Sequence, residues 1–468
     1  MKYLDKPLIN KKLELKLGAL LLALLVICGT LFFSVYATSA LVFLVCFYVS
    51  SVIAIYYYSG RVTADFRNQI KILLYSSSVY FLYSFFSYIN YRNTGSFFIF
   101  PDQNHFFGIS DELKSLPSIY EIFKKTIVEK SHIENEGAYF LLGLIGFISN
   151  KYLGENTVLI QSLAISSFAV FINIFIYKTL LFYVNRKHSF TYTLLFASFS
   201  MVMAYSPWLL RDIHILFFYT LGFYLIHKDF SFTVLFLLLV IQYVVSEFRF
   251  ESGLAFTFFP FIYVFLQGKE YKHKKLLYLL LVVLLVPISI KGVGVLGASV
   301  NKLSAGMNKY QSYTADAVQS SAGLASIFYK LPPGLKHIGI TVFSQMQPFP
   351  PWNNIESANN LFEILVFMLF GISGIFWFYV VFIALQAFIR HYRVTPRMLL
   401  FALFFAVVFL LGNTSNMNIR RIMAVYPIVY VYFVYAQTFL NKKLRKKLIY
   451  FIVLYMWLLL AYILLKFL

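Results

Sequence analysis

The stretch Ala138-Tyr139-Phe140-Leu141-Leu142-Gly143-Leu144-Ile145-Gly146-Phe147-Ile148-Ser149 decides how this chain is threaded. It is apolar, but as a helix it rises only ~18 Å, short of the ~30 Å of hydrocarbon in a bilayer. Length therefore predicts a re-entrant or interfacial helix, and charge tests that reading. Long apolar runs lie on either side, separated by short basic turns. With the amino terminus in the cytoplasm and 138–149 not crossing, Arg61, Arg67 and Lys71 fall inside. So do Arg186 and Lys187, Lys228, the run Lys269, Lys272, Lys274 and Lys275, then Arg390, Arg393 and Arg397, and finally Lys442, Lys443, Arg445, Lys446 and Lys447. If 138–149 crossed, every later cluster would flip outward, against the positive-inside rule. Arg211, Arg249, Arg420 and Arg421 stay on the outer side despite that rule.

The windows long enough to span are 17–36, 39–59, 71–89, 157–184, 190–206, 213–227, 230–246, 253–267, 276–290, 360–389, 397–412, 422–439 and 448–466. With 60% hydrophobic and 13% charged residues, hydrocarbon is the solvent for most of the surface. The expected fold is an all-α polytopic membrane protein of about 13 transmembrane helices, a single membrane domain over 1–468. The net charge of +21 sits mostly beside apolar segments, so it reads as orientation rather than nucleic-acid binding. Cys28 and Cys46 lie inside the first two runs and read as small buried hydrophobes. The lysine-rich segment from Met1 to Lys16 precedes an uncleaved first helix in this reading. No internal repeat of the transporter kind is visible.

Two outer-face segments exceed ordinary connections: 90–156, with its loop from Asn90 to Gly137, and 291–359. In the first, Ser118 to Lys130 reads as an amphipathic interfacial helix offering Ile119, Tyr120, Ile122, Phe123, Ile127 and Val128 to lipid.

Four polar clusters on the outer side are candidates for chemistry, because ionisable groups at a membrane face are costly to place. Asp102 follows Phe100 and Pro101 just beyond a helix end, with His105 three residues on. A carboxylate at the mouth of a membrane cavity suits a general base for a sugar hydroxyl, although most acids of this loop read as solvated charges. The second cluster is Ser206 to Asp212, followed by His214; there Asp212 complements a helix dipole and pairs with Arg211, which leaves the outward arginine unexplained. Glu247, Arg249 and Glu251 form the third, either an internally compensated ion-pair network or the wall of a polar cavity. The fourth runs from Gly412 to Asn416 and on to Arg420 and Arg421, whose guanidinium forks match phosphate, on a donor or on lipid headgroups. Trp352, in Pro348-Phe349-Pro350-Pro351-Trp352, either covers a sugar face or anchors its loop at the interface. No zinc-type spacing, P-loop or dinucleotide fingerprint occurs, so the sequence requires no cofactor and leaves a divalent metal undecided.

The order of these features resembles the GT-C class of membrane glycosyltransferases, particularly the protein-mannosyltransferase-like branch and its bacterial relatives in surface-polysaccharide assembly. The resemblance rests on Asp102 in the first large outer loop, the interfacial helix, and the short apolar segment running into Lys151-Tyr152-Leu153-Gly154-Glu155-Asn156. It continues through the Arg186-Lys187 turn, the Ser206 to Asp212 run, Pro348 to Trp352 and Gly412 to Arg421. Specificity comes from the order of loose motifs. The chain departs from the class by placing three helices before the large loop and by lacking a paired acid beside Asp102, which also admits a Wzy-type polysaccharide polymerase.

The resemblance implies a polyprenyl-phosphate or pyrophosphate sugar donor and a glycan or lipid-linked acceptor. Asp102 would then be the base, Asp212 a second acid that orients substrate or base, and Arg420 or Arg421 the holder of donor phosphate. His105, Arg211, Glu247, Arg249, Glu251 and Trp352 complete the expected substrate-binding set. The expected location is the bacterial cytoplasmic membrane, with the active face outward. A transporter or flippase of lipid-linked glycans is the competing class, distinguished by whether the clusters converge or line a path through the protein.

Overall fold

The computed structural model describes residues 39–57, 64–100, 102–129, 136–268, 332–352, 355–412, 419–440 and 444–467. The helices expected at 17–36 and 276–290, and the loop from 291 to 331, lie outside the described residues. The rest is helical, with no strand among the described residues. Among the described residues, seven helices are long and apolar enough to cross a membrane: Ser39–Tyr57 (α1), Ala64–Thr94 (α2), Val158–Leu180, Phe250–Gln267, Leu361–Val394, Arg420–Phe439 and Lys447–Leu464. Shorter apolar helices cover Asp212–Leu225, Phe232–Phe248 and Arg397–Leu411.

After α2 the chain forms α3 (Asp102–Leu113), α4 (Ile119–Phe123, continuing as a π turn over Lys124–Val128), α5 (Glu136–Leu153), α6 (Val158–Leu180), α7 (Arg186–Phe199), α8 (Met201–Tyr205), α9 (Asp212–Leu225) and α10 (Phe232–Phe248). Then follow α11 (Phe250–Phe256), α12 (Phe258–Gln267), α13 (Pro333–Ser344), α14 (Leu361–His391), α15 (Arg397–Gly412), α16 (Ile419–Ile422), α17 (Tyr426–Tyr435) and α18 (Leu444–Phe467).

Several runs that read as one helix are broken, for local reasons. Ser200 adopts extended backbone (φ −79°, ψ 162°) and separates α7 from α8. Pro260 cannot donate to the carbonyl four residues back, that of Phe256, where α11 ends before α12 begins. Pro427 acts similarly in the first turn of α17, after the 3-10 turn Met423–Val425. The interior joins helices through small hydroxyls and buried tyrosines. Ser76 and Ser84 on α2 donate back to Ile72 O (2.6 Å) and Tyr80 O (3.0 Å), which satisfies hydroxyls buried in the helix. Ser84 also meets Ser166 of α6 at 2.7 Å, and the Tyr80 hydroxyl accepts from Asn173 and donates to Ala197 O.

Side-chain contacts sort the helix ends into two poles. Near the start of α2, Asp65 accepts from Arg186 Nε (2.6 Å) at the head of α7 and from the Tyr177 hydroxyl (3.1 Å) near the end of α6. Near the other end of α2, Asn90 accepts from Asn360, just before α14, at 3.0 Å. The Asp102 pole, on the Asn90 side, collects the tail of α2, the heads of α6, α9 and α14, and the tail of α10.

Helix α5 is 18 residues long, more than the apolar dozen, because Glu136 and Gly137 extend it at one end and Asn150 to Leu153 at the other. Both ends nevertheless lie at the Asp102 pole. Gly137 packs so closely on Glu247 and Phe248 that a Cβ would sit 3.0 Å from their backbone. Past its other end, Glu155 accepts a hydrogen bond from Ser39 at the head of α1. The helix therefore runs across this pole rather than from one pole to the other.

Its glycines let α3 lie against it. A Cβ on Gly146 would meet Ser110 Oγ at 2.7 Å and Ser110 O at 2.9 Å, and one on Gly143 would meet Leu113 at 2.6 Å. Gln161 of α6 closes the joint, donating to Ser110 Oγ (2.6 Å) and to Asn156 Oδ1 (2.9 Å). Gly146→Leu is expected to destabilise the protein by about 1–3 kcal/mol through overpacking. Gly108→Ala on α3, where a Cβ meets nothing, is expected to leave stability unchanged or slightly improved. Thermal melting of the two variants in detergent checks this, and equal melting temperatures would show that the α3–α5 joint is loose.

The interfacial segment also differs in detail. Ile119, Tyr120, Phe123 and Val128 are exposed, but Ile122 is fully buried, against the position a Gly143 side chain would take. Ile122 thus anchors the segment to α5 instead of facing lipid.

Candidate active site

Asp102, expected just beyond a helix end, is the first residue of α3. The turn before it is tight: Gly95 has φ 70° and Ile99, a β-branched residue, has φ 69°. Positive φ at such a residue is strained and persists only where surrounding contacts hold it. Gln103 supplies part of that hold. It is buried, donates to Phe98 O (3.3 Å), and accepts from the backbone N–H of Leu209 (3.0 Å). One side chain therefore ties the Asp102 turn to the Ser206–Arg211 turn.

The carboxylate of Asp102 contacts Arg420 Nη1 at 3.3 Å. The guanidinium of Arg420 also lies 4.9 Å from the ring centroid of Phe100, a cation–π position. Phe100 in turn stacks on Tyr205 (5.6 Å, 24°) and meets Trp208 edge-on (6.1 Å). Arg420 stands on α16, just past the 413–418 segment, which lies outside the described residues together with Asn413 to Asn416 of the fourth cluster.

Asp212 pairs with Arg249 rather than with its neighbour Arg211. Arg249 Nη2 donates to Asp212 Oδ1 at 2.8 Å, while Arg211 Nη1 donates to the backbone carbonyl of Phe248 at 3.0 Å. The reason is local geometry. Arg249 sits in extended backbone (φ −162°, ψ 116°) at the break between α10 and α11, beside the head of α9, and Arg211 lies one residue before that head, where the Phe248 carbonyl at the α10 tail accepts from it. Arg249 Nε is buried without a hydrogen-bond partner among the described residues. Burial pushes the Arg211 guanidinium down to about 10, and repulsion from Arg249 and Arg421 acts with it against the pull of Asp212 and Glu251. Those four charges therefore lie within electrostatic reach of Arg211.

The two ion pairs differ in kind. Asp102 is 57% exposed and Arg420 18%, with a single long contact between them, a pair of the sort that contributes about 0–1 kcal/mol. Arg249 and Asp212 are only 11% and 5% exposed, so removing either partner strands a buried charge at a cost of about 3–5 kcal/mol.

The remaining candidates fall at the edges of this cluster. His105 pairs with the Tyr139 hydroxyl of α5 at 2.9 Å. Glu247 is buried in the last turn of α10, and its backbone abuts Gly137. Trp352 is half exposed and follows Pro351, whose carbonyl sits against Gly371 of α14. That proline-rich stretch, with cis peptides before Pro348 and Pro350, packs Phe349 against Tyr455 and Tyr462 of α18. Those contacts lie along the helix bundle, and none of them joins Trp352 to the arginines. Phe100, Gln103, Tyr139 and Tyr205 are part of the site and carry no signal of it in the sequence. Among the described residues no group of three or more His, Cys, Asp or Glu is placed to hold a metal ion.

No protein-family model matches the chain, and neither does any curated protein or solved structure. What the site can do is therefore argued from its geometry. It offers an exposed carboxylate in contact with one guanidinium, a buried Arg249–Asp212 pair at the same pole, and the ring of Phe100 beneath Arg420.

Proposed function

We propose that the protein is a membrane glycosyltransferase of bacterial surface-polysaccharide assembly, acting at the outer face of the cytoplasmic membrane on a polyprenyl-phosphate or pyrophosphate sugar donor. The observation that carries this reading is the Asp102–Arg420 contact across 318 residues, at the same pole as the Arg249–Asp212 pair and Arg211. Four clusters that are dispersed in sequence share one end of the bundle. A path for a transported solute would instead carry polar charge between the poles, and among the described residues the joints between α2, α6 and α7 named above are hydroxyl, amide and tyrosine contacts. This favours a transferase over a flippase.

In this reading Asp102 takes the proton of an acceptor hydroxyl as its oxygen attacks the anomeric carbon of the donor. The bond from that carbon to the phosphate oxygen breaks, and its electron pair passes to the phosphate. Arg420 and Arg421 stabilise the charge as it develops there. Asp212, locked to Arg249, keeps the arginines in place and takes no proton. Phe100 lies under Arg420 and is itself backed by the buried rings of Tyr205 and Trp208.

The test is the size profile of lipid-linked and surface glycans in a deletion strain and in the same strain carrying the wild-type gene. Loss of the ladder, leaving single repeat units, with restoration by the wild type, identifies a polymerase that joins preassembled repeats. Persistent chain length with one sugar missing identifies a single-sugar transferase. A deletion strain with an unaltered glycan profile would overturn the proposal.

A further inference from the structure

We propose that Arg420 is an exchangeable partner, held by Asp102 in the unliganded protein and surrendered to the phosphate of the donor, so that donor binding itself frees the Asp102 carboxylate for the acceptor. This rests on the reading above that a lipid phosphate binds at this pole. The inference follows from comparing the two ion pairs. An arriving phosphate competes with the carboxylate that each guanidinium already contacts. Arg249 is not available on those terms, since its 2.8 Å contact with Asp212 is enclosed and breaking it leaves a buried carboxylate unpaired. Arg420 is, because its contact with Asp102 is a single one of 3.3 Å to a carboxylate that is mostly in solvent.

A phosphate can take two parallel hydrogen bonds from one guanidinium, so it outcompetes a carboxylate that accepts only one. The ring of Phe100 remains beneath Arg420 throughout, which limits the movement to a turn of the guanidinium. Asp102 stays fixed at the head of α3, through the neighbouring Gln103. The consequence is an order of binding. An acceptor that arrives first meets a carboxylate whose charge is shared with Arg420, and one that arrives after the donor meets the free base.

The experiment measures binding of a polyprenyl monophosphate to the full-length protein in detergent by native mass spectrometry. Wild type, Asp102→Asn, Arg420→Ala and the double variant are compared. Removing the competing carboxylate is expected to tighten lipid binding by roughly fivefold, the factor a weak exposed pair provides. Arg420→Ala is expected to weaken binding, and in that background Asp102→Asn is expected to change nothing. Arg420→Gln, which keeps the volume, replaces the alanine variant if that one fails to fold. Equal affinity in wild type and Asp102→Asn would overturn the exchange while leaving the donor site intact. So would tightening of the same size in both backgrounds, since that marks general repulsion of an anion by Asp102. Absence of binding in wild type and every variant would remove the donor-phosphate reading itself, and the exchange with it.

Discussion

Asp212→Ala is expected to cost about 3–5 kcal/mol of stability, the largest effect of any single substitution at the Asp102 pole. The change leaves Arg249 with its Nη2 unpaired in addition to its Nε, in a position only 11% exposed. Three further arginines, Arg211, Arg420 and Arg421, then crowd the same region without that carboxylate between them. Arg249→Ala should cost a similar amount, for the mirror reason. Replacing both at once, as Asp212→Leu with Arg249→Met, should recover most of the loss, because an apolar pair of similar volume leaves no stranded charge. Thermal melting of detergent-solubilised protein, followed by size-exclusion profile, checks all three. If the single variants melt with wild type, water reaches the pair and its burial carries little energy.

Asp102→Asn should behave in the opposite way, losing activity without losing stability. The side chain is mostly in solvent and makes one weak contact, so melting should shift by no more than an exposed pair allows. Loss of a positioned general base, in contrast, lowers turnover on the order of 10²–10⁴-fold. The contrast between Asp102→Asn and Asp212→Asn is therefore the informative one: the first separates rate from stability, and the second should lower both. A donor-labelled transfer assay in membranes, with protein levels measured alongside, gives the two numbers. Wild-type turnover in Asp102→Asn would place the base elsewhere.

Apolar period and length made most long helices legible, since α2, α6, α14, α15 and α18 overlap their expected windows. Alternation of basic turns predicts that 138–149 does not cross, and the polar flanks of that run hid the true length of α5. Helix α3 was not legible. Asp102-Gln103-Asn104-His105-Phe106-Phe107-Gly108 is polar at its start and holds a glycine, and tertiary contacts sustain it: packing against Gly143 and Gly146 of α5 and the hydrogen bonds of Gln103 and Ser110. In the sequence, positive charge on the disfavoured side singles out Arg211, Arg249, Arg420 and Arg421, and position at helix ends singles out Asp102 and Asp212. The pairing was not legible, because adjacency in sequence favours Arg211 with Asp212, whereas the α10–α11 break brings Arg249 to that carboxylate. Gln103 and Phe100 are ordinary in composition and acquire their roles only from where the chain returns.

The separation of Asp102 from Arg420 bears on how the protein is made. A membrane chain enters the bilayer from its amino end, so α3, its glycine-rich seat and the Arg249–Asp212 pair are in place while the α16 segment is still on the ribosome. Over that interval the Asp102 carboxylate faces the compartment alone. Synthesis therefore delivers Arg420 late, after both members of the Arg249–Asp212 pair, and a chain stopped before α16 lacks the contact at Asp102. Two co-expressed fragments divided between α12 and α14 should regain function only together, with the contact at Asp102 reporting that assembly is finished.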